Sequence, residues 1–335
     1  MAHYILKRII LLVVTLLGLS IVIFVVSHIA PGDPARLAAG PFATEEMVEH
    51  LKQEFGLDKP LIQQYLIFLG DLVRGDLGRS IRTRRPVRED LARFFPATLE
   101  LVLFSLGFAT IAGILLGSLS AVHQNGWIDH LTRFLSISGL GLPAFWLALM
   151  LQLLFVLKLD LFPVGARIEM MVHPPSSITH LFLVDSLLTG NWVAFKSSLF
   201  HILLPALSLS FPALASIIRI NRADMLDTLG KDFVTTARAK GLPEKVVIWK
   251  HVLRNALIST VTMIGLRFGW TLGGTILVET VFDWPGLGLY AVTSATHSDF
   301  QPIMGTALLI GVCFTIANLL VDLMYGLLNP KIAYQ

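Results

Sequence analysis

Cysteine, charge and catalytic signatures are what this sequence has least of. Of its 335 residues one is cysteine, Cys313, set inside an apolar run, so no intrachain disulfide and no cysteine zinc site can form. Charged residues make up 15% of the chain, against about 25% in a soluble domain. No phosphate-binding Walker A loop is present. Gly230 and Lys231 are adjacent, but Met225 stands where the first glycine belongs and Asp232 where Ser or Thr belongs. The ten histidines show no HExxH pattern and no recognisable metal-ligand spacing, and no GxSxG elbow occurs. The expectation is a chain with no catalytic residues, no metal site, and no means of hydrolysing ATP by itself.

What the sequence does have is apolar length. It is 54% hydrophobic with a mean hydropathy of +0.71, which implies an all-α membrane protein. The net charge of +3 and pI near 9.0 invite a nucleic-acid reading in a soluble protein. Here the basic excess sits mainly in one loop between apolar runs, so membrane topology explains it and no nucleic-acid partner is expected.

Six spans follow from the runs. Lys7 and Arg8 precede an unbroken apolar stretch from Ile9 to Ile29, about 21 residues, enough to cross about 30 Å of hydrocarbon at about 1.5 Å per residue. A cleaved signal peptide competes, but the run exceeds an h-region of about 7–15 residues and lacks a small-x-small site. The first segment, 1–30, is therefore read as an uncleaved span with a cytoplasmic N-terminus. Residues 31–96 balance ten basic against ten acidic residues and read as a small helical region outside the cytoplasm. Thr44 suits a helix cap and Pro60 a helix first turn, and Gly75 and Gly78 follow as stops. The core, 97–328, carries spans at about 98–122, 131–157, 201–220, 258–281 and 303–328. The third contains Gly139, Gly141 and Pro143, the fourth Pro205 and Pro212. The Leu181–Leu188 patch is too short to cross. In the fifth, Gly265, Gly269 and Gly273 recur every four residues, a helix-packing pattern. Ionisable groups are scarce at depth. Arg267 and Asp322 are expected either to pair, with Asn318 one turn before Asp322 on the same face, or to reach the interfaces separately.

The stretch Arg219–Leu257 holds eight of the 26 Lys and Arg residues against four acids, which assigns it to the cytoplasmic side. Ala237 and Gly241 lie four apart with Pro243 just beyond, so a short helix with a small-residue face is expected to stop at the glycine and restart after the proline. Beyond it Val246, Trp249, Leu253 and Ala256 fall on one face, with Lys250 and Arg254 on another.

Several stretches resemble one family over nearly the whole chain. They are HIAPGDP (His28–Pro34), FGLDKPLIQQY (Phe55–Tyr65), TARAKGL followed by HVLRNAL, ETVFDWPGLG (Glu279–Gly288) and NLLVDLMYGLLNPKI (Asn318–Ile332). These resemble the peptide and nickel permease family of ABC importers, most closely the B-type subunit of dipeptide importers. The long inner loop is similar to the EAA loop of such permeases, reading Thr235, Thr236, Ala237, then Gly241, with Leu253 and Arg254 at the later Leu-Pro positions. The glutamate and late proline are thus replaced, as is common in that subfamily.

The resemblance implies a type I permease fold in the bacterial cytoplasmic membrane with both termini inside. It implies a heterodimer with a second permease, two ATPase subunits that use ATP and Mg, an external solute-binding protein, and no cofactor bound by this chain. It also implies that Gly230–Gly241 is a coupling helix offering Asp232, Thr235, Thr236, Ala237, Ala239, Lys240 and Gly241 to an ATPase. Alternating access would carry dipeptides, or else longer peptides, glutathione or nickel. An ion-coupled secondary transporter and a purely structural or receptor protein are the competing classes.

Overall fold

A computed structural model describes residues 2–29, 36, 39, 43–54, 56 and 58–328, with the side chains at 2–7, 27–29, 51, 54 and 322–328 outside the description. Two compact units emerge. One comprises Leu99–Trp284 and the chain from Ala317, and the other Ala2–Thr98 with Pro285–Ile316. Twelve helices are named below: α1 (Ala2–Ile29), α2 (Glu45–Glu54), α3 (Leu61–Val73), α4 (Val87–Val122), α5 (Trp127–Gly141), α6 (Ala144–Lys158), α7 (Phe182–Leu188), α8 (Trp192–Leu229), α9 (Asp232–Ala239), α10 (Glu244–Val281), α11 (Leu287–Thr296) and α12 (Phe300–Leu328). Among the described residues no strand forms; the one β contact is an isolated bridge between Arg79 and Pro86.

Five helices are long and apolar enough to cross a membrane, and α5 with α6 makes a sixth if the bent pair is one span. That pair differs from a single straight span over about 131–157, for it turns by 108°. The cause is local. Pro143 has no N–H to give and disfavours helix at the residue before it, and Leu142 is extended at φ −91°, ψ 124°. The other spans start earlier than their apolar runs. α4 begins at Val87 despite Pro96, and α8 begins at Trp192, where the Asn191 side chain caps it by accepting from the Ala194 N–H at 3.0 Å. α10 begins at Glu244 and passes through a π-helical turn over Val247–Val252. With 38 residues, α8 is about 57 Å long, so it extends well beyond an apolar layer of about 30 Å.

In the larger unit, α8 is the central element and packs on α5, α6, α7 and α10. Small residues allow the close approaches: a β-carbon at Gly113 would lie 2.6 Å from Ile217, one at Gly117 2.9 Å from Asn221, and one at Gly139 2.7 Å from Ala215. Between α4 and α8, Leu106, Ala109, Ala213, Leu214, Ile217 and Ile218 form a buried apolar cluster. Buried polar groups there are satisfied. Asn221 donates to the Ile114 carbonyl at 3.0 Å and to Ser118 Oγ at 2.9 Å, and Ser136 Oγ donates to the Ala215 carbonyl at 2.8 Å.

In the smaller unit, α3 lies along the later part of α1. Tyr65 Oη is 2.9 Å from Ser20 Oγ, and Phe24 meets the rings of Tyr65 and Phe68 at 5.4 and 5.8 Å. Val87 and Leu91 of α4 pack on Leu287 and Tyr290 of α11. Tyr290 Oη donates to Asp90 at 3.0 Å, and burial, followed by that carboxylate, raises the phenol pKa. Ser80 Oγ and the Arg82 N–H close on Asp299 at 2.6 and 3.0 Å. Removing the hydroxyl with Tyr290→Phe leaves Asp90 short of a buried donor and is expected to cost about 1–3 kcal/mol, read as an earlier thermal unfolding of the purified protein.

Candidate functional site: a helix platform and an opposite cavity

The basic stretch folds into a platform. α9 seats its buried residues Val234 and Ala237 on Met225 of α8, on Val247, Ile248, Val252 and Ala256 of α10, and on Ala121 of α4. Three long helices therefore converge on one short one. α9 ends where the sequence predicts. The Gly241 N–H donates to the Arg238 carbonyl at 2.9 Å and the Leu242 N–H to the Ala237 carbonyl at 3.4 Å, while Gly241 takes φ +75°. This Schellman closure needs a left-handed residue, which glycine supplies without strain. Pro243 then caps α10.

The outward surface of the platform carries Asp232, Thr235, Thr236, Ala239, Lys240 and Gly241, all exposed, with Phe233 and Trp249 partly uncovered beside them. The expected small-residue face is divided. Ala237 is turned inward and 8% exposed, whereas Gly241 is open, with nothing within 4 Å of where a β-carbon would stand. Trp249 is exposed and separated from the buried Val252 and Ala256, because the π-helical turn shifts the register of the amphipathic face.

Two ionic contacts near the platform have no counterpart in the sequence reading. Arg238 clamps Glu244 across the turn at 2.6 and 3.2 Å, and this bond raises the arginine pKa; both side chains are exposed, so the pair contributes little stability. The second is deeper. Asp129, fully buried at the start of α5, accepts two bonds from Arg222 of α8 at 2.7 and 2.9 Å, one from Ser120 Oγ at 2.6 Å and one from the Asn125 N–H at 2.9 Å. Arg133 approaches the same carboxylate at 3.4 Å. The signal was a lone acid just after an Asn-Gly turn and before an apolar run. Its partner stands more than ninety residues on, so spacing gave no pairing.

The remaining candidates are placed as follows. A β-carbon at Gly265 would overlap Val321, Gly269 is buried, and Gly273 is exposed with open space beside it. Arg267 and Asn318 are both half-buried. The Asp322 side chain lies outside the described residues, and so does most of the HIAPGDP stretch, so the polar pair stays an expectation.

At the other end of α8 the segment 159–181 is tied down at several points. Arg167 donates to Glu100 of α4 at 2.5 Å and to the His180 carbonyl at 3.2 Å, and its guanidinium lies 3.7 Å from the centre of the Phe182 ring. Glu100 also accepts the Leu183 N–H at 2.7 Å. Gln152 donates to the Val164 and Val281 carbonyls at 3.1 and 3.2 Å, and the Ala166 N–H donates to the Phe282 carbonyl at 3.1 Å. Gly165 passes so close to Phe282 that no β-carbon fits. Glu100→Ala leaves Arg167 buried without its carboxylate and is expected to destabilise by about 3–5 kcal/mol, seen as protease cleavage within 159–181 in folded protein.

Asp185 closes a neighbouring turn by accepting from the Ile178, Thr179 and His180 N–H groups at 2.8–3.1 Å. Burial alone would raise its pKa; the bonds from Thr179 and these amides outweigh burial and hold it below 3.8. A depressed carboxylate stabilises the fold above its unfolded pKa and loses that contribution as pH falls through the folded value. Asp185→Asn is therefore expected to lower thermal stability at pH 7 and to flatten its dependence on pH below about 4.

Comparison with known proteins agrees with this architecture. Residues 113–334 match the family described as binding-protein-dependent transport system inner membrane component, and residues 1–102 match the N-terminal component of such membrane proteins. The chain is 46% identical to the probable D,D-dipeptide transport system permease protein DdpB of Escherichia coli (strain K12), over 96% of this chain and 94% of that protein. It is 38% identical to the dipeptide transport system permease protein DppB of Alkalihalophilus pseudofirmus, over the full length of both. It is 41% identical, again over both full lengths, to the glutathione transport system permease protein GsiC of Pectobacterium atrosepticum.

Proposed function

We propose a function for this chain, which belongs to the family of binding-protein-dependent transport system inner membrane components: it is a membrane-spanning subunit of an ATP-driven importer of dipeptides or short peptides. The observation that carries this reading is α9, a short helix held on the ends of three long helices with its polar face open. A rigid, outward-facing helix is suited to receive work, and this chain carries no phosphate-binding loop of its own. ATPase subunits seated against Thr235, Thr236, Lys240 and Gly241 displace α9 when they close on nucleotide. Because α8 and α10 run directly from α9 into the apolar layer, the displacement reorients the spans and alternates access to a path shared with a second permease.

The relatives' names support dipeptides as cargo, and glutathione is the second reading. An external binding protein delivers the solute, and the chain sits in a bacterial cytoplasmic membrane with both termini inside, the basic loop setting the orientation. The test is reconstitution in vesicles with the second permease, the two ATPases and the binding protein. ATP-dependent uptake of dipeptide that survives collapse of ion gradients is the expected result. Uptake driven by an ion gradient without ATP would overturn the proposal.

A further inference from the structure

A cavity of about 770 Å³ opens between the segment 160–172 and the first three turns of α8, within the range of small-ligand sites, roughly 300–1,000 Å³. Its charges are sorted by wall. Asp160 and Glu169 come from the segment and Lys196 from the helix, while His201, Trp192 and Phe200 supply ring surface. Among the described residues none of the four charged or titratable side chains is in an ion pair. Opposite signs thus face one another across a gap without closing it. His201 Nδ1–H donates to the Ser197 carbonyl at 2.7 Å, which leaves Nε2 as a hydrogen-bond acceptor.

The walls are built to stay apart. The segment is fastened to α4 through Arg167 and to the end of α10 through Ala166 and Gln152, and the Glu169 N–H donates to Ser197 Oγ of α8 at 3.0 Å. Two residues of the segment, Asp160 and Ala166, hold left-handed backbone at φ 49° and 66°. For side chains that prefer other regions such backbone is costly, and the surrounding bonds must hold it.

We propose that this cavity binds a short peptide as a zwitterion, its ammonium group toward Asp160 and Glu169 and its carboxylate toward Lys196, with side chains against Trp192 and Phe200. The proposal rests on the transport reading above for its cargo class and adds a site to it. The location supplies a consequence. One wall is the start of α8 and the other is tied to the end of α10, and these two helices bracket α9 at their opposite ends. A ligand bridging the fastened walls bears on both helices that meet the platform, so occupancy and platform position are linked reciprocally.

The test uses the full permease and ATPase complex in nanodiscs without binding protein, with L-alanyl-L-alanine as probe. Saturable titration of tryptophan fluorescence is expected, lost in Trp192→Phe. N-acetylated and C-amidated forms should each bind at least about tenfold more weakly, a loss of about 1.4 kcal/mol. Lys196→Met should abolish the preference for free carboxylate over amide, and Glu169→Gln the preference for free over acetylated amine. Lys196 and Glu169 are exposed, so neither change threatens folding. A flat titration, or equal binding of the blocked forms, overturns the site. Flat titration alongside ATP-driven dipeptide uptake by the complete system removes the cavity site and leaves the transport reading. Charge-selective binding without such uptake supports the site and removes the transport reading.

Discussion

Gly241→Trp is expected to abolish coupled uptake, by at least about a hundredfold, while the protein still inserts and assembles its spans. The reasons are separable. Gly241 sits at φ +75°, where any other L residue adds roughly 1–2 kcal/mol of strain, and its missing side chain faces open space on the platform. The strain alone is too small to unfold a seat formed by eight buried residues, so the expected loss comes from the indole occupying the face proposed to meet an ATPase. Gly241→Asn separates the two effects, because asparagine tolerates left-handed backbone and is small. It should retain most uptake. ATP hydrolysis and uptake measured in the same vesicles give the answer, and full transport in Gly241→Trp would remove α9 from the coupling role.

Ala237 requires a different interpretation. Its burial on Met225, Val247 and Val252 means that Ala237→Trp overpacks the seat instead of blocking a surface. It should release α9 and lower stability together with coupling, so it does not report on docking. Thr236→Trp, on the open face, is the informative companion to Gly241→Trp.

These differences show what sequence pattern conveys. The spans were legible because about twenty apolar residues in a row admit little else, and the end of α9 was legible because Gly241 and Pro243 punctuate the backbone locally. The start of α8 was not. Lys196, Ser197 and Ser198 interrupt the apolar residues of Trp192–Phe200, so the stretch does not read as continuous with the span, and the Asn191 cap is the signal for its start. The break at Pro143 was visible as a proline, but its 108° turn depends on Leu142 adopting extended backbone against its neighbours. Ala237 and Gly241 shared one spacing and received opposite environments, since helical periodicity assigns a face without saying whether protein covers it. The charged pairs that fasten the ends of the spans, Glu100 with Arg167 and Asp129 with Arg222, join residues far apart in the chain. Their partners are set by tertiary packing, which no local pattern encodes.

The Asp129 cluster joins a large expected effect on stability to one on coupling. Its carboxylate is fully buried and receives Arg222 through two nitrogens, a geometry in which charge and direction reinforce each other. Removing one member of a buried pair costs about 3–5 kcal/mol, chiefly because the other is left uncompensated. Arg222 is one-fifth exposed, so the lower end of that range applies, about 3 kcal/mol for Asp129→Ala. At roughly 2–4 °C per kcal/mol the thermal midpoint of the purified complex falls by roughly 6–12 °C. Replacing both partners, Asp129→Ala with Arg222→Met, should be less destabilising than Asp129→Ala alone, since the Arg222 charge is removed together with its carboxylate. The functional effect has its own direction. Arg222 lies two turns before the end of α8, and Asp129 ties it to the turn joining α4 and α5. Without that tie the platform stays seated through its apolar contacts, but its motion is no longer shared with α5. ATP hydrolysis should then persist while uptake falls, giving more ATP consumed per solute moved. Equal loss of both activities would mean that Asp129 supports folding alone.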